Sequence, residues 1–157
     1  MIGKKGGIIL AAVVIFFVYI VFYVFQPVKV IDGHIRSSGF SVLIVKNPPL
    51  TDKGKISWWK KNELFIKETY SIPSPDSDGT FTVVVLDVGD GYKIDRGTDE
   101  DSDLLCFDDM KNEKNCIEKN RVMGIEHLKN GSTRLNFNKS SYIQLSDGEN
   151  IKKLENK

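Results

Sequence analysis

Thr80-Phe81-Thr82-Val83-Val84-Val85-Leu86-Asp87-Val88 (TFTVVVLDV) is the stretch on which the architecture turns. Its centre, Val83-Val84-Val85-Leu86, is β-branched and apolar at consecutive positions. That pattern suits a strand covered on at least one face. Turn chemistry closes both ends, with Asp76-Ser77-Asp78-Gly79 before it and Gly89-Asp90-Gly91 after it, residues that tolerate the backbone conformations tight turns need. A strand is therefore expected over 80–88.

Moving outward toward the amino end, Thr51-Asp52 supplies a capping hydroxyl and an acid for the positive first turn of a helix. Ile56, Trp59, Glu63, Ile66 and Tyr70 recur every three or four residues, while Lys55, Lys60, Lys61, Lys67 and Glu68 take the other faces. Ser71-Ile72-Pro73-Ser74-Pro75 ends this helix. Before it, Val28–Arg36 and Phe40–Lys46 read as a β-hairpin around Ser37-Ser38-Gly39, and Asn47-Pro48-Pro49 stops the second strand. Toward the carboxyl end, Asp95–Asp103 is an acidic loop by composition. Asp103–Met110 and Cys116–Lys129 read as paired strands joined by 111–115. Asn130-Gly131 is a turn, Ser132–Asn138 and Tyr142–Leu145 are further strands, and Ile151–Leu154 is a weak terminal helix. One helix on a five- to seven-stranded, mostly antiparallel sheet is an α+β domain.

The remaining amino-terminal segment is of a different kind. Gly6 to Val28 holds 23 residues without a charge, and within it Ile8–Phe25 (IILAAVVIFFVYIVFYVF) is 18 residues long. At about 1.5 Å per residue a helix of that length crosses roughly 27 Å, close to the hydrocarbon thickness of a bilayer. Fourteen of the eighteen residues are Ile, Leu, Val or Phe, worth about −6 kcal/mol for insertion at roughly −0.4 kcal/mol each. Tyr23-Val24-Phe25-Gln26-Pro27 offers no small-residue cleavage site, so an uncleaved signal-anchor is expected rather than a signal peptide. The expected organisation is a tail at 1–7, a transmembrane signal-anchor at 8–27 and the α+β domain at 28–157.

The chain has 22 Lys+Arg against 21 Asp+Glu, a net charge of +1. That near-balance gives no sign of a nucleic-acid partner. Cys106 and Cys116 are the only two cysteines. Their spacing lacks the second ligand pair of a zinc site and is not C-x-x-C. They read as a disulfide, or else as two unrelated buried thiols. A disulfide would persist in an oxidising compartment, which puts the amino terminus in the cytoplasm and the domain in the periplasm of a bacterial inner-membrane protein. Lys4 and Lys5 before the span, against Lys29 and Arg36 after it, add only a slight positive-inside bias.

Catalytic signals are sparse. No G-x-S-x-G, H-E-x-x-H, phosphate loop or dinucleotide fingerprint occurs. His34 and His127 each stand alone in a strand. With Asp90 they are the residues an enzyme of unrecognised type would use, and the expectation is no enzyme. Asp99-Glu100-Asp101-Ser102-Asp103 fails the calcium-loop test, because Leu104 and Met110 stand where Gly and Glu are required. No metal or cofactor is expected. Trp58 and Trp59 point about 100° apart on a helix, so Trp59 belongs to the core and Trp58 either shields it or anchors a partner. The expected partner surface combines Trp58 with Asp95, Asp99, Glu100, Asp101 and Asp103, the carboxylates steering a basic protein.

Three groups of segments together resemble a known family. The first is Val42-Leu43-Ile44-Val45-Lys46-Asn47-Pro48-Pro49-Leu50-Thr51-Asp52-Lys53-Gly54-Lys55-Ile56-Ser57-Trp58-Trp59. The second is Asp76-Ser77-Asp78-Gly79 with Gly89-Asp90-Gly91-Tyr92. The third is Leu104-Leu105-Cys106-Phe107-Asp108-Asp109 with Asn115-Cys116-Ile117. They are similar to domain of unknown function family 943, small inner-membrane proteins of enteric bacteria. The resemblance runs from the apolar segment to about residue 137. It implies an inner-membrane anchor with a periplasmic domain and carries over no catalytic residue. The expected function is a tethered binding protein, an immunity protein against a toxin delivered to the periplasm or inner membrane. The alternative is an accessory subunit of an envelope or secretion complex.

Overall fold

A computed structural model describes residues 4–24, 26–99 and 103–155, with side chains in the first helix described over 6–21. The elements in chain order are helix α1 (Lys4–Val24), strands β1 (Lys29–Ser37) and β2 (Phe40–Lys46), helix α2 (Asp52–Tyr70), and strand β3 (Phe81–Asp87). Strands β4 (Leu104–Cys106), β5 (Cys116–Glu118), β6 (Arg121–His127), β7 (Thr133–Asn136), β8 (Ser141–Gln144) and β9 (Lys152–Leu154) follow. Seven strands form one sheet in the order β1-β2-β3-β6-β7-β8-β9, and β4 and β5 form a second, two-stranded sheet. The α+β architecture is as expected, with every pairing antiparallel except β2 with β3. That parallel pair follows from α2, since parallel neighbours need a crossover and a helix supplies it.

Alternation along the central strands explains their unbroken apolar runs. Leu43 and Val45 of β2 and Val83 and Val85 of β3 join Met123, Ile125 and Leu135 under Trp59 and Ile66 of α2. Val42, Ile44 and Leu86 point the other way and pack with Val88, Phe107 and Ile117. Both faces are covered, the first by α2 and the second by the β4–β5 sheet, so neither parity needs polar residues. Thr51 caps α2, its Oγ1 accepting from the Gly54 amide at 3.1 Å. Ser71 ends the helix in the left-handed conformation (φ 57°), its amide bonding Lys67 O.

Three expectations are corrected. Ile151–Leu154 is not a terminal helix: Lys152–Leu154 is β9 and pairs with β8. A few residues cannot nucleate a helix alone, whereas the β8 edge offers them ladder bonds. Cys116–Lys129 is not one strand. The chain breaks at Lys119-Asn120, so β5 stays with β4 while β6 joins β3. The strand expected over Asp103–Met110 stops at Cys106, because Phe107 turns fully inward and its carbonyl closes a turn with the Met110 amide at 3.2 Å.

Among the described residues, no helix is long and apolar enough to cross a membrane. The described side chains of α1 are nevertheless strongly exposed, Ile8 at 71% and Phe17 at 68%. At its base, Asn47 Nδ2 donates to Gln26 Oε1 at 2.8 Å, tying the exit of α1 to the end of β2.

Candidate functional site

The small sheet is a cap on the second face, and its fastenings define the site. Leu104–Cys106 and Cys116–Glu118 lie antiparallel with Cys106 directly opposite Cys116, and the two sulfurs stand at disulfide distance, 2.06 Å. Lys93 and Cys116 exchange backbone hydrogen bonds of 2.7 and 3.1 Å, pinning the start of the acidic loop to β5. The Lys93 ammonium also pairs with Glu118. This contact holds the Glu118 carboxyl below its usual range, helped by the Asn120 amide. Arg36 reaches across from β1 to donate to the Cys106 carbonyl.

Beneath the cap sits His34, 2% exposed. Its ring stacks on Phe107 with centroids 3.8 Å apart and an interplanar angle of 14°. Nδ1 lies 2.8 Å from Asp109 Oδ2 and Nε2 lies 3.2 Å from the Tyr92 hydroxyl. Tyr92 in turn donates to Asp32 Oδ2 at 3.4 Å. With Nδ1–H donating to Asp109, the single phenolic proton of Tyr92 is shared between Asp32 Oδ2 and His34 Nε2, one acceptor at a time. Burial, then the charge and hydrogen bond of Asp32, then Asp109 push the Tyr92 phenol well above its ordinary value. Burial raises the Asp109 carboxyl, but the His34 hydrogen bond and charge outweigh it, with help from Arg36, and the net shift is downward.

This row of carboxylate, imidazole and phenol joins β1, the segment after β3 and the β4–β5 connection. Both ring nitrogens of His34 are engaged inside the protein. What the arrangement can do chemically is fasten three chain segments at one buried point.

The sequence-expected partner residues divide. Asp95, Asp99 and Asp103 are exposed, Asp95 beside the cysteine pair, with its Oδ1 accepting from the Gly97 amide at 2.7 Å. Glu100 and Asp101 lie outside the described residues. Trp58 is half-buried and packs with the α2-side core, on the opposite face of the sheet, so it shields that core and does not share a surface with the acidic loop. Asp95 lies within 4.8 Å of both sulfurs, but bonded sulfurs offer a metal no thiolate. His127 is far from His34 in the fold. It stacks on Phe81 at 5.2 Å and its Nδ1 meets Thr133 Oγ1 at 3.0 Å.

Sequence reasoning missed the His34 row. One signal was present: in a strand, residues two apart share a face, so Asp32 and His34 could have been paired. Tyr92 and Asp109 are 58 and 75 positions from His34, with no local pattern to announce them.

No curated protein and no solved structure matches the chain. A family model does match, over residues 3–155, almost the full length, and the chain belongs to that family, described as Enterobacterial putative membrane protein (DUF943).

Proposed function

We propose that the chain is a single-pass protein of the bacterial inner membrane that works without catalysis, as a tethered binding module. In this reading 1–7 is the cytoplasmic tail, 8–27 the signal-anchor and 28–157 the periplasmic domain. The observation that carries it is α1: its described apolar side chains are turned outward, Phe16 at 64% and Ile15 at 69% exposed, and water would not favour such a surface. The 18-residue apolar run of the sequence and membership of a membrane-protein family support the same reading. The cysteine pair at disulfide distance suits a domain on the oxidising side.

The binding surface we assign is the cap edge bearing Asp95, Asp99 and Asp103. The disulfide-closed sheet next to Asp95 and Asp103 is fastened to the core through Phe107 and His34. The proposed partner is a basic protein, and the narrower proposal is a toxin delivered to the periplasm or inner membrane. Tethering concentrates an inhibitor where such a toxin must act. Cells lacking the gene should lose protection against toxin-armed kin. The full chain should restore it, and an Asp95→Asn/Asp99→Asn/Asp103→Asn variant of equal abundance should not. Indifference of the deletion strain to the toxin would sink the immunity reading. Recovery of an envelope complex with the chain would then favour the accessory-subunit alternative.

A further inference from the structure

A pocket of about 240 Å³ lies between α2 and the sheet, on the face away from the cap. Register sets its floor: Phe81 lies beside His127, His127 beside Thr133, and Thr133 beside Gln144. Two residues along the same strands, and so on the same face, the buried Ile125 and Leu135 form an apolar back wall. Trp59 of α2, also buried, completes that wall. The volume equals about eight waters at roughly 30 Å³ each, room for one small molecule or one long side chain.

The polar lining is chiefly acceptors. Glu63, one turn beyond Trp59 on α2, and Asp147, in the turn after β8, are exposed carboxylates that border the pocket. Among the described residues neither takes a hydrogen bond or a salt bridge. They are close enough to repel: after burial, the Asp147 charge pushes the Glu63 carboxyl up, and Lys60 and Lys67 offset only part of this. Gln144 Nε2 donates to Glu149 O at 3.0 Å, which leaves its carbonyl oxygen as a further acceptor. Like charges held toward one another disfavour ionisation of both, and a cation between them relieves the repulsion. An ammonium or guanidinium brings only donors, matching a lining of acceptors, and an apolar wall behind a few convergent polar groups is the usual form of a small-molecule site.

We propose that this pocket binds an organic cation, an alkylammonium or guanidinium with a short apolar body. Its charged head lies between Glu63 and Asp147, and its body lies against Trp59, Ile125 and Leu135. The site is separate from the acidic cap loop and from α1, so it does not depend on the tethered-binder reading.

The test titrates the purified full chain, in neutral detergent at pH 7, with phenethylamine, with its uncharged isostere 2-phenylethanol, and with Nα-acetyl-lysinamide. NMR resonances of the Trp59 indole, His127 and Gln144 supply the readout. Phenethylamine should shift them saturably, with 2-phenylethanol roughly tenfold weaker or more, and Glu63→Gln/Asp147→Asn should weaken phenethylamine roughly 10- to 100-fold, as for charge-assisted bonds to two carboxylates. Asp90→Asn/Glu113→Gln, the same charge change at exposed positions outside the pocket, should leave binding unaltered. Removing a like-charge pair should not lower the thermal midpoint at pH 7, so lost binding in the first variant is not lost folding. Tighter binding of phenethylamine than of acetyl-lysinamide supports the proposal with a free amine as ligand. The reverse order supports it with the lysine of a basic protein as the source of the same group. Equal affinity for phenethylamine and 2-phenylethanol, equal affinity of the two double variants, or no saturable shift with either cation overturns the proposal.

Discussion

Gly33 and Gly124 both sit inside strands with no room for a Cβ, yet they should respond oppositely to alanine. A methyl on Gly33 would meet Ile72 Cδ1 and Tyr70 Cβ at 3.0 Å, atoms held where α2 ends against β1. A methyl on Gly124 would meet only the guanidinium of Arg121, the tip of an exposed and flexible side chain that can swing aside. Overpacking against fixed atoms costs about 1–3 kcal/mol, while a surface rearrangement stays within about 0.5 kcal/mol. Urea denaturation should therefore show a lowered midpoint for Gly33→Ala and a nearly unchanged one for Gly124→Ala. Glu63 poses an electrostatic question at the same scale. It lines a pocket of about 240 Å³ with Trp59, Phe81, His127 and Asp147. Partial burial and then Asp147 push its carboxyl up, with Lys60 and Lys67 pulling part of the way back. A carboxyl raised in the folded state binds its proton more tightly there than in the unfolded chain. Its contribution is favourable below the unfolded value of ~4.3 and is lost as pH rises. Glu63→Gln should thus raise the thermal midpoint at pH 7, and the gain should vanish toward pH 4. A gain independent of pH would rule out ionisation as the cause.

The elements differ in how far local sequence announces them. The Phe81–Asp87 strand, the hairpin of Lys29–Ser37 with Phe40–Lys46, and the Asp52–Tyr70 helix were legible because each carries its own period and its own stop signals. Strand order and the division into two sheets were not. Lys119-Asn120 contains neither Gly nor Pro, so nothing in the run Cys116–Lys129 marks the point where one strand leaves the cap and the next joins the main sheet. Three-residue strands such as Leu104–Cys106 carry too few alternations to show a face. What holds the cap is tertiary: Phe107 and Ile117 fully buried against Val42 and Ile44, and the cysteines facing one another across the ladder. In the chain-entropy model, closing a loop of about 11 residues stabilises by roughly 2.5–3 kcal/mol. Cys106→Ala/Cys116→Ala should lose about that much in urea denaturation. Reductant should lower the wild-type midpoint toward the variant's and leave the variant where it is. If reductant leaves the wild type unaltered too, the sulfurs are not bonded in the native protein.

At the scale of the whole molecule, the apolar content is split between the two cores of the domain and the exposed face of α1. Every residue of the two buried clusters lies between Val42 and Leu135, on strands and a helix that pair among themselves. The described side chains of α1 are exposed, and just past its end Gln26 accepts a hydrogen bond from Asn47. A chain beginning at Gln26 keeps that bond and both cores. Such a chain should unfold in one cooperative step, with an unfolding free energy in urea within about 1 kcal/mol of that of the full chain in mild detergent. On the anchor reading it should also leave the membrane fraction, since it has lost the apolar run Ile8–Phe25. The two readouts are independent. Release with an unchanged unfolding free energy is what a tether predicts. Release with that free energy lowered by several kcal/mol would mean that α1 packs on the domain, and a helix with such a seat would be a structural element of the fold rather than its attachment to a bilayer.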